Sequence, residues 1–135
     1  MIGVVVVTHG QLAVELLNAA ETIVGDLPRF AAVSIGWHED TNDAREEIAQ
    51  AIARVRQEQG VLIVTDMFGG TPSNLAMTFL GRDDVEVITG VNLPMLIKLA
   101  GLNEQASPLE VAREMREHGR NAIWVASDLL RGEKT

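Results

Sequence analysis

A chain of 135 residues with 47% hydrophobic content has the length expected of one compact domain built on a single core. Its 19 acidic residues against 11 basic ones give a formal charge of -8, a field that repels polyanions and argues against nucleic acid as a partner. With no cysteine, disulfide frameworks, thiolate zinc sites and cysteine nucleophiles are excluded, so histidine and the carboxylates must carry any chemistry.

The first apolar run, residues 2–7, is nearly all valine and reads as a strand buried on both faces. It is too short to cross a bilayer and lacks the preceding basic residues of a secretion signal, so a soluble cytoplasmic protein is expected. Leu12, Leu16, Leu17, Ala20, Ile23 and Val24 then fall on one helical stripe. Residues 30–35 predict a second strand; Ala44, Ile48, Ile52 and Val55 mark a second helix, and residues 61–65 a third strand. Another helix is expected to open with Thr71 as its cap and Pro72 at its first position, before a fourth strand over residues 85–89. Ser107-Pro108-Leu109-Glu110 forms a capping box for a later helix that Gly119 should close, with His118 favouring the dipole at its end. Residues 121–127 (NAIWVAS) read as a fifth, short edge strand and residues 129–135 as a loose polar tail, leaving residues 1–128 as the single domain. This alternation predicts an α/β fold: an open, mainly parallel sheet of four strands with helices on both faces, plus the C-terminal edge strand.

In an open parallel sheet the ligand crevice lies beyond the carboxyl ends of the strands. The residues placed there are Thr8-His9-Gly10, then Gly36-Trp37-His38-Glu39-Asp40, then Asp66-Met67-Phe68-Gly69-Gly70-Thr71-Pro72, then Gly90-Val91-Asn92-Leu93-Pro94. His9 can present one imidazole nitrogen to solvent while the other meets Asp66 from the neighbouring strand. A carboxylate in that position fixes the tautomer and stabilises the cation that forms when the ring attacks, which is what a histidine nucleophile requires. Gly69, Gly70, Thr71 and Ser73 supply a candidate phosphate site, since glycines let the backbone approach and a helix start offers unpaired N–H groups. Trp37, Met67, Phe68, Met95 and Leu96 lie in or beside these loops and read as a docking surface for a protein partner.

Competing chemistries find less support. The Asp66 loop superficially resembles the nucleophile loop of haloacid-dehalogenase-like phosphatases, but Phe68 stands where the second acid is required. Thr8 replaces the arginine that clamps phosphate in histidine phosphatases. The P-loop, dinucleotide-binding and serine-elbow motifs are all missing from the sequence. His38, Glu39 and Asp40 with His9 and Asp66 could assemble a metal site, as a metal-dependent hydrolase would need, but a solvated acidic loop is the better reading. No metal and no organic cofactor are expected.

Thr8-His9-Gly10, the Asp66-x-x-Gly69-Gly70-Thr71-Pro72-x-Asn74 loop and Gly90-Val91-Asn92-Leu93-Pro94-Met95-Leu96 together resemble the IIA component of the mannose family of the phosphoenolpyruvate-dependent sugar phosphotransferase system, over nearly the whole chain. The resemblance implies a phosphoryl carrier. The histidine matching His9 would accept a phosphoryl group from the small protein HPr and pass it to a IIB protein, and the aspartate matching Asp66 would hydrogen-bond it. It also implies a homodimer in which the last strand, residues 121–127 here, is exchanged between subunits. The related carrier of dihydroxyacetone kinases shares the histidine strand but is not expected to have the Gly69-to-Asn74 loop in this form. Many relatives continue into a IIB domain, so the acceptor here is expected to be a separate protein, and the carrier itself would not contact sugar. An alternative is a regulatory module whose phosphorylation state is read by a partner; a neighbouring gene for a membrane sugar permease would separate the two.

Overall fold

The computed structural model describes residues 1–132 other than 83 and 104. Strands β1 (Gly3–His9), β2 (Phe30–Ile35), β3 (Val61–Thr65) and β4 (Val85–Thr89) form one sheet in the order β2-β1-β3-β4, every neighbouring pair parallel. The expected four-stranded α/β sheet is the observed one. The valine run follows from its central place: Val5 and Val7 enter one core with Ala44, Ile48 and Ile52 of α2 (Thr41–Val55) and Leu75 of α3 (Thr71–Met77). Val4 and Val6 enter the opposite core with Ala13 and Leu17 of α1 (Leu12–Val24), Leu96 and Leu99 of α4 (Leu93–Gly101), and Met115 of α5 (Pro108–Asn121). A strand covered on both faces has no polar side to alternate with, and each such side chain contributes roughly 1.5–3 kcal/mol on burial. Gly3 is required where α2 closes onto β1, since a Cβ there would lie 2.0 Å from the Val55 carbonyl oxygen.

β1 runs two residues beyond the apolar stretch, because Thr8 and His9 continue the ladder with Ser34 and Ile35 of β2. This makes His9 the last residue of the central strand. The chain order crosses from one side of β1 to the other here, β2 lying on one flank and β3 on the other, so His9 ends at the topological switch point where such sheets bind ligands.

Three expectations are corrected at helix ends and at the C-terminus. Gly70, with φ +92°, caps α3, and Thr71 is its first helical residue. Gly119 lies inside α5, which continues to Asn121 and carries His118 and Arg120 in its last turn. No fifth strand forms over residues 121–127: Asn121 ends α5, Ile123, Trp124 and Val125 are exposed without regular structure, and α6 (Ala126–Leu130) begins immediately afterwards. β-propensity is a preference for packing on a paired, half-buried surface, and among the described residues nothing pairs with the outer edge of β4. Of the expected tail, Leu129 and Leu130 belong to α6, whereas residues 133–135 lie outside the described residues.

Candidate functional site

The β1–β3 pairing sets Val7 opposite Thr65, so His9 and Asp66 emerge side by side at the same end of adjacent strands. The His9 Nδ1 lies 2.8 Å from the Asp66 Oδ2, and the His9 backbone N–H donates to the same oxygen at 3.1 Å. The other oxygen, Oδ1, accepts the Met67 N–H at 3.1 Å. The carboxylate is thereby fixed from three sides. Partial burial pushes the Asp66 carboxyl up, but hydrogen bonds from the His9 ring and backbone outweigh that and hold it below the ordinary carboxylate value. An ionised acceptor on Nδ1 assigns the proton of the neutral ring to Nδ1 and leaves the lone pair on Nε2. The histidine side chain is 52% exposed against 13% for the aspartate, so the ring is the member of the pair that a partner can reach.

Nε2 faces the Gly69-Gly70 loop. A Cβ on Gly70 would fall 3.0 Å from Nε2 and 3.1 Å from Cε1, and both glycines hold positive φ, +91° and +92°. Only glycine gives the imidazole this clearance without backbone strain. Thr71 is exposed at the start of α3, beside this loop. Ser73, expected among the phosphate contacts, is fully buried; its hydroxyl accepts the Gly69 N–H at 2.9 Å and donates to the Gly70 carbonyl at 3.4 Å. It shapes the loop and does not reach its surface.

Around the histidine, Trp37 is 92% exposed and Phe68 73%, with Met67 exposed beside it. Trp37 is in edge-on contact with His38, at 6.2 Å between ring centroids. Met95 does not belong to this group: it is 3% exposed, in the core beneath α4, and packs against Gly119. Leu96 is buried with it, because the first turn of α4 turns this apolar face toward the sheet. The acids of the β2–α2 loop have local partners. Asp40 caps α2 by accepting the Asn42 and Asp43 N–H groups, and Glu39 accepts the Gly36 N–H. Among the described residues, no three or more histidines and acids group as a metal site would require.

Two residues that the sequence places at the strand ends have supporting roles it did not reveal. Thr8, fully buried, accepts the Ala13 N–H at 2.7 Å and so ties the first turn of α1 to the strand end bearing His9. Asn92 caps α4 by accepting the Met95 N–H and donates its amide to the Gly119 carbonyl at 3.0 Å, while the Gly90 and Val91 N–H groups both donate to Thr65. Asn92-Leu93-Pro94 carries a capping signal, an asparagine one residue before a helix whose second position is proline.

The chain matches the profile of the EIIA-man family, described as PTS system fructose IIA component, over residues 3–115. It is 29% identical to the PTS system fructose-specific EIIA component of Bacillus subtilis (strain 168), covering 100% of this chain and 93% of that protein. It is 31% identical to the PTS system mannose-specific EIIAB component of Escherichia coli (strain K12) over 90% of this chain, which spans only 38% of that longer protein. Among solved structures it resembles the mannose/sorbose specific IIA subunit of the phosphotransferase system from Enterococcus faecalis, with TM-score 0.81 and 27% identity over 91% of this chain and 92% of the other. The PTS IIA protein associated with the fucose utilization operon of Streptococcus pneumoniae gives TM-score 0.82 and 27% identity, covering 95% of both chains.

Proposed function

The chain belongs to the EIIA-man family of phosphotransferase-system IIA components, and from that premise we propose that it carries a phosphoryl group on His9, between HPr and a separate IIB protein. The observation that carries this reading is the division of labour on one ring: Nδ1 held at 2.8 Å by Asp66, Nε2 turned toward a glycine loop and reachable from solvent.

The Nε2 lone pair attacks the phosphorus of the donor's phosphoryl group. A P–N bond forms on His9 while the donor's bond to phosphorus breaks, and its electron pair stays with the donor. Nδ1 keeps its proton throughout, so the product ring carries a positive charge that the Asp66 carboxylate stabilises. Thr71 and the Gly70 backbone hold the transferred oxygens. The same steps in reverse deliver the group to the acceptor, and no metal or organic cofactor takes part. Trp37, Met67 and Phe68 form the apolar contact that each partner covers during exchange.

The working form is a cytoplasmic homodimer. A groove of about 490 Å³ runs along the outer edge of β4 between Glu86, Ile88 and the arginines of α5; Ile123 lines it, and the exposed Trp124 and Val125 follow in the chain. An open edge beside an apolar, β-prone segment suits exchange of that segment with a second copy. Label transfer tests the carrier reading. Phosphate from phosphoenolpyruvate should pass through the general phosphotransferase enzyme and HPr to this chain, then on to added IIB protein; label that never leaves the chain would support a regulatory role.

A further inference from the structure

We propose that Ser73 is a positioning residue for phosphoryl transfer: its buried hydroxyl locks the Gly69-Gly70 loop in the shape that receives the group on His9, without touching the group itself. The inference rests on the carrier reading and adds a residue to it.

Two consecutive glycines at positive φ form the least constrained kind of backbone, and the peptide between them can turn over at little cost. Such a turn would matter here, since the loop lies against Nε2. A carbonyl oxygen presented there would repel the anionic phosphoryl group, whereas an N–H would attract it. Ser73 holds the loop at both ends of this pair, accepting from the Gly69 N–H at 2.9 Å and donating to the Gly70 carbonyl at 3.4 Å. The Asn74 N–H adds a second bond to the same carbonyl at 3.0 Å. The Gly70 oxygen is thus engaged within the loop, and among the described residues the Gly70 N–H has no protein acceptor. No side chain caps α3 at Gly70, and the buried hydroxyl three residues later instead ties down the residue before the cap, Gly69.

The test compares wild type with Ser73→Ala and Ser73→Cys, all checked for folding by thermal melts. The readouts are the rate of phosphorylation by phospho-HPr and the half-life of the purified phosphoprotein. The cysteine keeps the volume but its sulfur is a weak acceptor, so both variants should behave alike: folded, phosphorylated about tenfold more slowly, the scale of one such hydrogen bond, and dephosphorylated sooner. Folded variants with wild-type rate and half-life would overturn the proposal, as would losses that merely track the unfolded fraction, or unfolding of both variants. Failure of wild type itself to accept phosphate would instead sink the carrier reading.

Discussion

Gly70 lies so close to the ring of His9 that a methyl group on its Cα would sit 3.0 Å from Nε2, the nitrogen that Asp66 leaves unengaged. The space the nucleophile needs is therefore the space a side chain would fill, and the loop must be glycine for both steric and conformational reasons. Gly70, at φ +92° and ψ 170°, holds a conformation essentially confined to glycine, so Gly70→Ala should lower stability by about 1–3 kcal/mol, measured by urea denaturation. Phosphorylation should fall far more than the folded fraction does, because the methyl group occupies the approach to Nε2.

Asp66→Asn keeps the size of the side chain and removes its charge. The amide can still accept from Nδ1 but cannot stabilise the cation formed on attack, so the rate of phosphorylation should drop by at least about 10²-fold. Stopped-flow or quench measurements with phospho-HPr would show it; a near wild-type rate would assign the carboxylate a purely structural role.

The same carboxylate should leave a signature in acid. Its folded pKa is depressed, so its contribution to stability is present above the ordinary carboxylate value near 4 and is lost as pH falls through the depressed folded value. Urea midpoints should fall more steeply below about pH 4 in wild type than in Asp66→Asn. Glu47 should behave oppositely: a hydrogen bond with Glu39, then burial and the charges of Glu39 and Asp43, raise its carboxyl above the usual value. Stability from its protonated form is lost as pH rises through that value, so Glu47→Gln should gain on wild type at pH 7 and lose the advantage in acid.

Trp37→Ala and Phe68→Ala remove exposed apolar surface without touching the His9–Asp66 pair. Each should raise the apparent KM for phospho-HPr by about tenfold or more while leaving the rate at saturating donor near wild type. Unchanged KM in both variants would place the docking surface elsewhere.

If a second copy covers the β4 edge, charge placed in the exchanged segment should expel it. Ile123→Lys with Val125→Lys should shift the mass in light scattering from dimer to monomer, because two ammonium groups would have to be buried beside the arginines of α5. A monomeric wild type would contradict the exchange.

The sheet and the histidine–aspartate pair were legible in the sequence because both depend on local signals: continuous valine in a doubly covered strand, and polar residues placed directly after strand ends. What escaped depends on facing. Met95 and Ser73 lie in loops and first turns whose sequence marks them as near the site, but the rotation of α4 and α3 buries both. Thr8 looked like part of the site motif, yet its buried hydroxyl accepts the Ala13 N–H in the first turn of α1. Residues 121–127 carry the β-branched and aromatic content of a strand, and composition alone does not supply the edge a strand must pair with.

The most direct measurement is intact mass after incubation with phosphoenolpyruvate, the general phosphotransferase enzyme and HPr, comparing wild type with His9→Ala. One acid-labile phosphoryl adduct on wild type and none on folded His9→Ala is the expected result; an unmodified wild type, or an adduct that survives in His9→Ala, would contradict a carrier working through His9.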